Sequence, residues 1–180
     1  MNWLIDPWLR WLSPVSSWRG YLLLLAVIVV FVCLFNMRNK KIAPAKTPDA
    51  QMLKLDFQGL LDVVENLGTH RRFYAATEVT LDVLFPIAYT AFLSIPMLLG
   101  FGSKHGWLTL VPLLGGCADL VENFTLAWLA VWGQLAEKPW LGHVALWAGK
   151  AKTLLIYASL VLMILALLVA LIQWIKASRL

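Results

Sequence analysis

Charge is what this sequence holds least of. Asp, Glu, Lys and Arg make up 14% of its 180 residues, against 61% hydrophobic residues, and the mean hydropathy is +0.75. A soluble domain is about half apolar and about one quarter charged, so an ordinary soluble fold is excluded. Cysteine is nearly absent as well. Cys33 and Cys117 each sit inside an apolar run, outside any CxxC pair and away from histidine at metal spacing. That excludes a disulfide framework or a zinc site and leaves both as small buried apolar residues. A nucleophile–base motif, a glycine-rich phosphate loop and haem spacing are also missing, and no internal repeat is evident. The net charge of +5 borders apolar segments. With no RNA- or DNA-binding motif beside it, this charge reads as a topology signal, and a nucleic-acid partner is not expected.

What is present is a series of apolar runs. The first crosses at residues 20–37 and is followed by Arg38, Lys40 and Lys41. A cleaved signal peptide carries its positive charge before the apolar run, so this segment reads as a retained anchor. Further spans are expected at 73–101, 107–133 and 153–175, each near the 20 residues a bilayer requires. Pro86 removes a backbone donor inside the second span and predicts a kink, with the freed carbonyl satisfied by a neighbouring helix. Residues 1–19 read as an interfacial segment. Residues 47–68 read as a cytoplasmic amphipathic helix capped by Thr47, started by Pro48 and ended by Gly68. Residues 139–149 read as a second interfacial helix. The expected fold is therefore all-α: a polytopic four-helix membrane bundle.

Orientation follows from Lys and Arg. Arg10, Arg19, Lys104, Lys176 and Arg179 fall on one side, and the other ten of the fifteen fall on the opposite side. The excess marks the cytoplasmic face and places both termini outside, in a cell membrane of bacterial inner-membrane type. Ten tryptophans cluster near span ends, as belts at the headgroup level do.

Spans one and four carry no acid or base, whereas spans two and three do. Tyr74, Glu78, Asp82 and Tyr89 recur on one helical face of span two with Phe85, and Arg71 lies a turn earlier. Asp119, Glu122 and Asn123 share a face of span three with Pro112, Gly115 and Gly116, whose small side chains allow close helix approach. One acid at the centre of a membrane helix costs about 2.5 to 3.5 kcal/mol, and intramembrane ionisable residues are functional candidates by default. The candidate ligand-binding set is Tyr74, Glu78, Asp82, Tyr89, Asp119, Glu122 and Asn123, with Arg72 at the rim. Two carboxylates brought together there could share a proton. The competing structural role is a clamp in which Arg71, Arg72, Lys150 or Lys152 neutralises the acids and fixes helix register.

The runs G-T-H-R-R-F-Y (Gly68–Tyr74), D-V-L-F-P-I-A-Y (Asp82–Tyr89) and A-D-L-V-E-N (Ala118–Asn123), with a lysine before the last span, resemble a widespread group of small, uncharacterised bacterial four-span membrane proteins. The likeness runs from about Leu53 to the end of the chain. It implies the four-span architecture and these site residues, and it implies no activity. A weaker likeness, around Phe85, Pro86 and Tyr89, is to the EXPERA group of sterol isomerases and the sigma-2 receptor, in which intramembrane acids face a lipid-like ligand. The Asp119, Glu122 and Asn123 motif has no counterpart there.

Three functions stay open. One is a site that binds a cation or a lipid-like ligand, or an accessory subunit of a membrane complex. Another is an intramembrane enzyme on a lipid-like substrate, assisted by acid–base chemistry or by a hard divalent metal such as magnesium or manganese. The last is a proton- or ion-coupled transporter working as a dimer. No cofactor is specified, and the expected partners are membrane lipids and either a second copy or a larger membrane complex.

Overall fold

The computed structural model describes residues 2–43, 45–48, 51–132 and 138–178. Residue 133 of the third expected span, residues 49–50 of the expected cytoplasmic helix and Arg179 lie outside them. The helices are α1 (Asn2–Leu12), α2 (Trp18–Ile42), α3 (Phe57–Asn66), α4 (Arg71–Glu78), α5 (Leu81–Phe101), α6 (Leu110–Trp132) and α7 (Pro139–Ala177). Short 3-10 turns occupy Ser13–Val15, Gly68–His70 and Ser103–Thr109. The structure is 89% helical, with no strand among the described residues. Four helical stretches, Trp18–Ile42, Leu81–Phe101, Ser103–Trp132 and Pro139–Ala177, are long and apolar enough to cross a membrane. The chain is an all-α polytopic membrane protein.

α5 and α6 form the buried centre, while α2 and α7 are walls whose apolar faces point outward. None of the most apolar stretch of α2 is buried inside the bundle, against 56% for α5. Cys33 of α2 and Cys117 of α6, expected inside, are exposed, and lipid solvates an apolar side chain as well as a protein core would. The exposed indoles fall at both ends: Trp18, Trp107 and Trp174 at the α1 end, Trp132, Trp140 and Trp147 at the α3/α4 end.

Local chemistry sets the boundaries, and several differ from those expected. Ser17 caps α2 by accepting from the Gly20 amide at 3.1 Å. Ala43, immediately before Pro44, ends α2 in an extended conformation, as a residue preceding proline prefers. The helix expected from Thr47 begins at Phe57 instead, because Asp56 caps it through the Gly59 amide at 2.7 Å. Thr47 is buried instead as part of a non-helical strap. The second span breaks at Val79–Thr80 instead of running unbroken from Phe73. There the hydroxyls of Thr77 and Thr80 donate to the Tyr74 and Ala76 carbonyls, at 2.7 and 2.6 Å, and the Thr80 amide turns to the Thr77 carbonyl. Threonine hydroxyls that bond back to the chain compete with the helical ladder.

Residues 139–149 are no separate interfacial helix. They run straight into the fourth span as α7, 39 residues starting on Pro139. At 1.5 Å per residue α7 is about 58 Å long, well beyond a hydrocarbon core of about 30 Å. Its first turns therefore pack beside α3 and the end of α6. A second apolar core forms there from Ile42, Met52, Leu60, Val64, Tyr74, Leu126, Leu129 and Leu146.

Pro86 lies within α5 and has no amide hydrogen, so the Asp82 carbonyl four residues earlier loses its helical partner. Asn123 of α6 supplies the replacement, its Nδ2 donating to that carbonyl at 2.6 Å. Two sequence features 37 positions apart thus answer one another. The helices meet closely nearby: a Cβ on Gly116 would lie 2.6 Å from Thr90 Oγ1.

Replacing Asn123 by Leu should lower unfolding free energy in detergent by about 1–3 kcal/mol, the cost of an unsatisfied buried carbonyl. In a Pro86→Ala background the alanine amide can serve Asp82, so the same substitution should cost less. Equal losses in both backgrounds, measured by chemical unfolding of the purified protein, would contradict this coupling.

Candidate functional site

Two ion clusters face one another at the level where the membrane bundle meets the second core. In the first, Arg38 from the last turns of α2 reaches across α4 and α5. Its Nη1 donates to Glu78 Oε1 at 3.0 Å and also pairs with Asp82. The two acids lie on either side of the Val79–Thr80 break and meet on one guanidinium. In the second, Lys152 of α7 donates to Asp119 Oδ1 at 3.1 Å and pairs with Glu122. Glu78 and Glu122 are fully buried, and Arg38 is 6% exposed. Asp82 and Lys152 are the more open members, with side chains 13% and 14% exposed.

Packing fixes these charges. Arg38 lies over the rings of Phe35 and Tyr74, at 5.0 and 5.8 Å, and cation–π contact strengthens when water is excluded. Glu122 sits in a notch at Gly149, where a Cβ would fall 2.6 Å from its Oε1. Met52 of the strap fills the other side of the same notch. Any side chain at position 149 would displace a carboxylate or the strap.

A cavity of about 310 Å³ lies between the clusters. Its floor is Asp82, Phe85 and Tyr89 of α5 and Asp119 of α6; one wall is Phe35, Arg38 and Asn39 of α2, the other Lys152 and Ile156 of α7, and Thr47 of the strap joins them. α2 packs on α5, and α7 packs on α5 and α6, but α2 and α7 scarcely touch each other. The cavity is therefore open to the side, between those two walls. Phe31, Phe35, Phe85 and Tyr89 form a continuous aromatic ladder along it, with successive ring centroids 5.1 to 6.2 Å apart. The Tyr89 hydroxyl faces Asp119.

Of the residues singled out from sequence, Glu78, Asp82, Tyr89, Asp119 and Glu122 gather here, with Tyr74 beneath Arg38. Asn123 borders the site but spends its amide on the Asp82 backbone. Arg72 is elsewhere: it lines a groove between α4 and α6. Arg71 turns to the Glu65 carbonyl at 3.5 Å. Lys152, not Lys150, is the lysine that reaches the acids. Arg38 is the residue that sequence reasoning missed. Standing beside Lys40 and Lys41 after an apolar run, it reads as one more topology charge. The available signal was the acid count, since two acids on each of two neighbouring spans call for a cation from more than one helix.

No group of three or more His, Cys, Asp or Glu side chains among the described residues is arranged to hold a metal ion. Each carboxylate pair already straddles a protein cation.

Fold and site together define a polytopic membrane protein with a laterally open, mixed-charge cavity. No family model, curated protein or solved structure matches the chain.

Arg38→Met removes the cation between two buried acids and should destabilise the protein by about 3–5 kcal/mol, the usual cost of stranding a buried charge. Adding Glu78→Gln and Asp82→Asn to that variant should recover much of the loss. Thermal unfolding of the three proteins checks this, and a triple variant no more stable than Arg38→Met would show that the ion cluster is not what Arg38 supports.

Proposed function

We propose that this protein binds a membrane amphiphile by its cationic head group, held in the cavity between Asp82 and Asp119 while the chain leaves between α2 and α7. The observation that carries this reading is the lining of the cavity, which sets two carboxylates, Asp82 and Asp119, beside three aromatic rings, Phe35, Phe85 and Tyr89. The aromatic faces of Phe35, Phe85 and Tyr89 suit an ammonium group, and the lateral opening suits a molecule that is already in the membrane.

Binding ranks above transport because polarity stops at the cavity. Towards the α1 end the buried face of α5 continues through Ala91, Leu93, Ile95, Pro96 and Met97. Ser94 on that face donates its hydroxyl to the Thr90 carbonyl of its own helix. Those residues provide no relay from the cavity to the other side. It ranks above an enzyme because each acid is already engaged by a cation, which leaves none in an evident acid–base or metal-holding role.

One observation favours a purely structural clamp. Arg38 ties α2 to α4 and α5, and Lys152 ties α6 to α7. A clamp would be indifferent to added ligand. We place the protein in a bacterial inner membrane with both termini outside, on the ten-to-five division of Lys and Arg.

The test is a thermal-shift titration of the purified protein in nanodiscs with oleylamine, oleyl alcohol and oleic acid. Oleylamine should stabilise the wild type more than the other two. Asp119→Asn should weaken that effect about tenfold, in line with one charge-assisted hydrogen bond, while the protein stays folded. No preference for the amine, or a folded Asp119→Asn variant with unchanged response, would refute the reading. Unfolding of Asp119→Asn, with no amine preference in the wild type, would establish the clamp.

A further inference from the structure

Arg72 is the predicted site residue that stands apart from both ion clusters and the cavity between them, and its surroundings suit a different ligand. It stands at one side of a groove of about 610 Å³ between α4 and α6, whose other lining residues are Ala75, Ala76, Val79, Phe124, Ala127, Trp128, Val131 and Trp132. Apart from Arg72 every lining residue is apolar, and no acid lines the groove among the described residues. Ala75, Ala76 and Ala127 are small enough to leave a trough along the helix pair. Trp128 and Trp132, one turn apart, lie 4.4 Å centroid to centroid and are both exposed. A second cation adjoins them: Lys138 Nζ lies 5.8 Å from the Trp128 ring centroid.

We propose that the α4/α6 groove is a binding site for one anionic phospholipid, its phosphate held by Arg72 and Lys138 and one acyl chain lying over Ala75, Ala76 and Ala127. Charge complementarity at fixed depth favours this occupant. Two cations and two indoles mark the headgroup level, and the trough runs from them along an apolar surface. A guanidinium matches a phosphate with paired donors, and the lysine adds a point charge. A zwitterionic lipid would bring a positive group of its own towards the same two cations. This inference does not depend on what fills the charged cavity, which is lined by a separate set of residues.

The experiment is native mass spectrometry of the delipidated full-length protein, titrated with phosphatidylglycerol and phosphatidylcholine of identical chains, and with inorganic phosphate alone. One phosphatidylglycerol should be retained at lower concentration than phosphatidylcholine. Each basic side chain near a membrane surface is worth roughly fivefold, so Arg72→Gln with Lys138→Gln should weaken that retention about twentyfold and leave phosphatidylcholine unchanged. Arg72→Lys with Lys138→Arg should keep the preference. Ala76→Trp, which fills the trough without touching either charge, should weaken binding of both lipids and serves as the test if the glutamine variant does not fold. Equal retention of the two lipids by the wild type, full retention by the glutamine variant or by Ala76→Trp, or equal binding of free phosphate would overturn the proposal.

Discussion

The Arg38 guanidinium, shared between Glu78 and Asp82, is the interaction on which the rest of this structure depends. No residue in the most apolar stretch of α2 is fully buried, so lipid solvates much of it as readily as the bundle would. Little hydrophobic force draws such a helix inward, because lipid tails are as apolar as leucine. What holds it are Arg38 at one end and ring contacts along its length, Phe31 and Phe35 on Phe85, and Tyr21 on Phe92 at 4.7 Å. The same guanidinium bridges the break between α4 and α5. Removing it would loosen a wall of the cavity and strand two buried acids at once.

The charged centre also explains the second core. A four-span bundle could stop at the membrane boundary, yet α7 continues and packs with α3 and the end of α6. Those turns carry Gly149, whose notch admits the Glu122 carboxylate and Met52 together. The strap after α2 thereby closes over the α3/α4 end of the site and brings Thr47 to the cavity. Glu78 and Glu122 are buried by protein atoms alone, and Met52 of the second core lies at the same notch as Glu122. On the proposed reading, the ligand enters between α2 and α7 from the side, as a lipid-like molecule would.

Much of this architecture was legible in the sequence, and the failures have physical causes. The spans were visible because apolar length has no competing explanation in a chain this poor in charge. The acids on one face of span two and of span three were visible because helical periodicity survives a local break: Glu78 and Asp82 still converge across Val79–Thr80. The break was hidden, since it arises from threonine hydroxyls choosing backbone carbonyls, a choice many helices carry without breaking. The start of α3 was misplaced because Thr47 and Asp56 are both plausible caps and only packing selects between them. Arg38 was hidden by its neighbours Lys40 and Lys41, and Asn123 by its company with two acids. Its partner is a carbonyl freed by a proline on another helix, which no spacing within α6 reveals.

The central claim is that the cavity between Arg38 and Lys152 holds the cationic head of a membrane amphiphile. The most direct measurement is an experimental structure of the protein extracted with its native lipid into nanoparticles, without detergent. The account predicts elongated density with its head within hydrogen-bonding distance of Asp82 and Asp119, and its chain passing Phe35 and Ile156 to leave between α2 and α7. A cavity containing only water, with α2 and α7 closed over it and every acid on Arg38 or Lys152 alone, would contradict the account and leave the charges as a clamp.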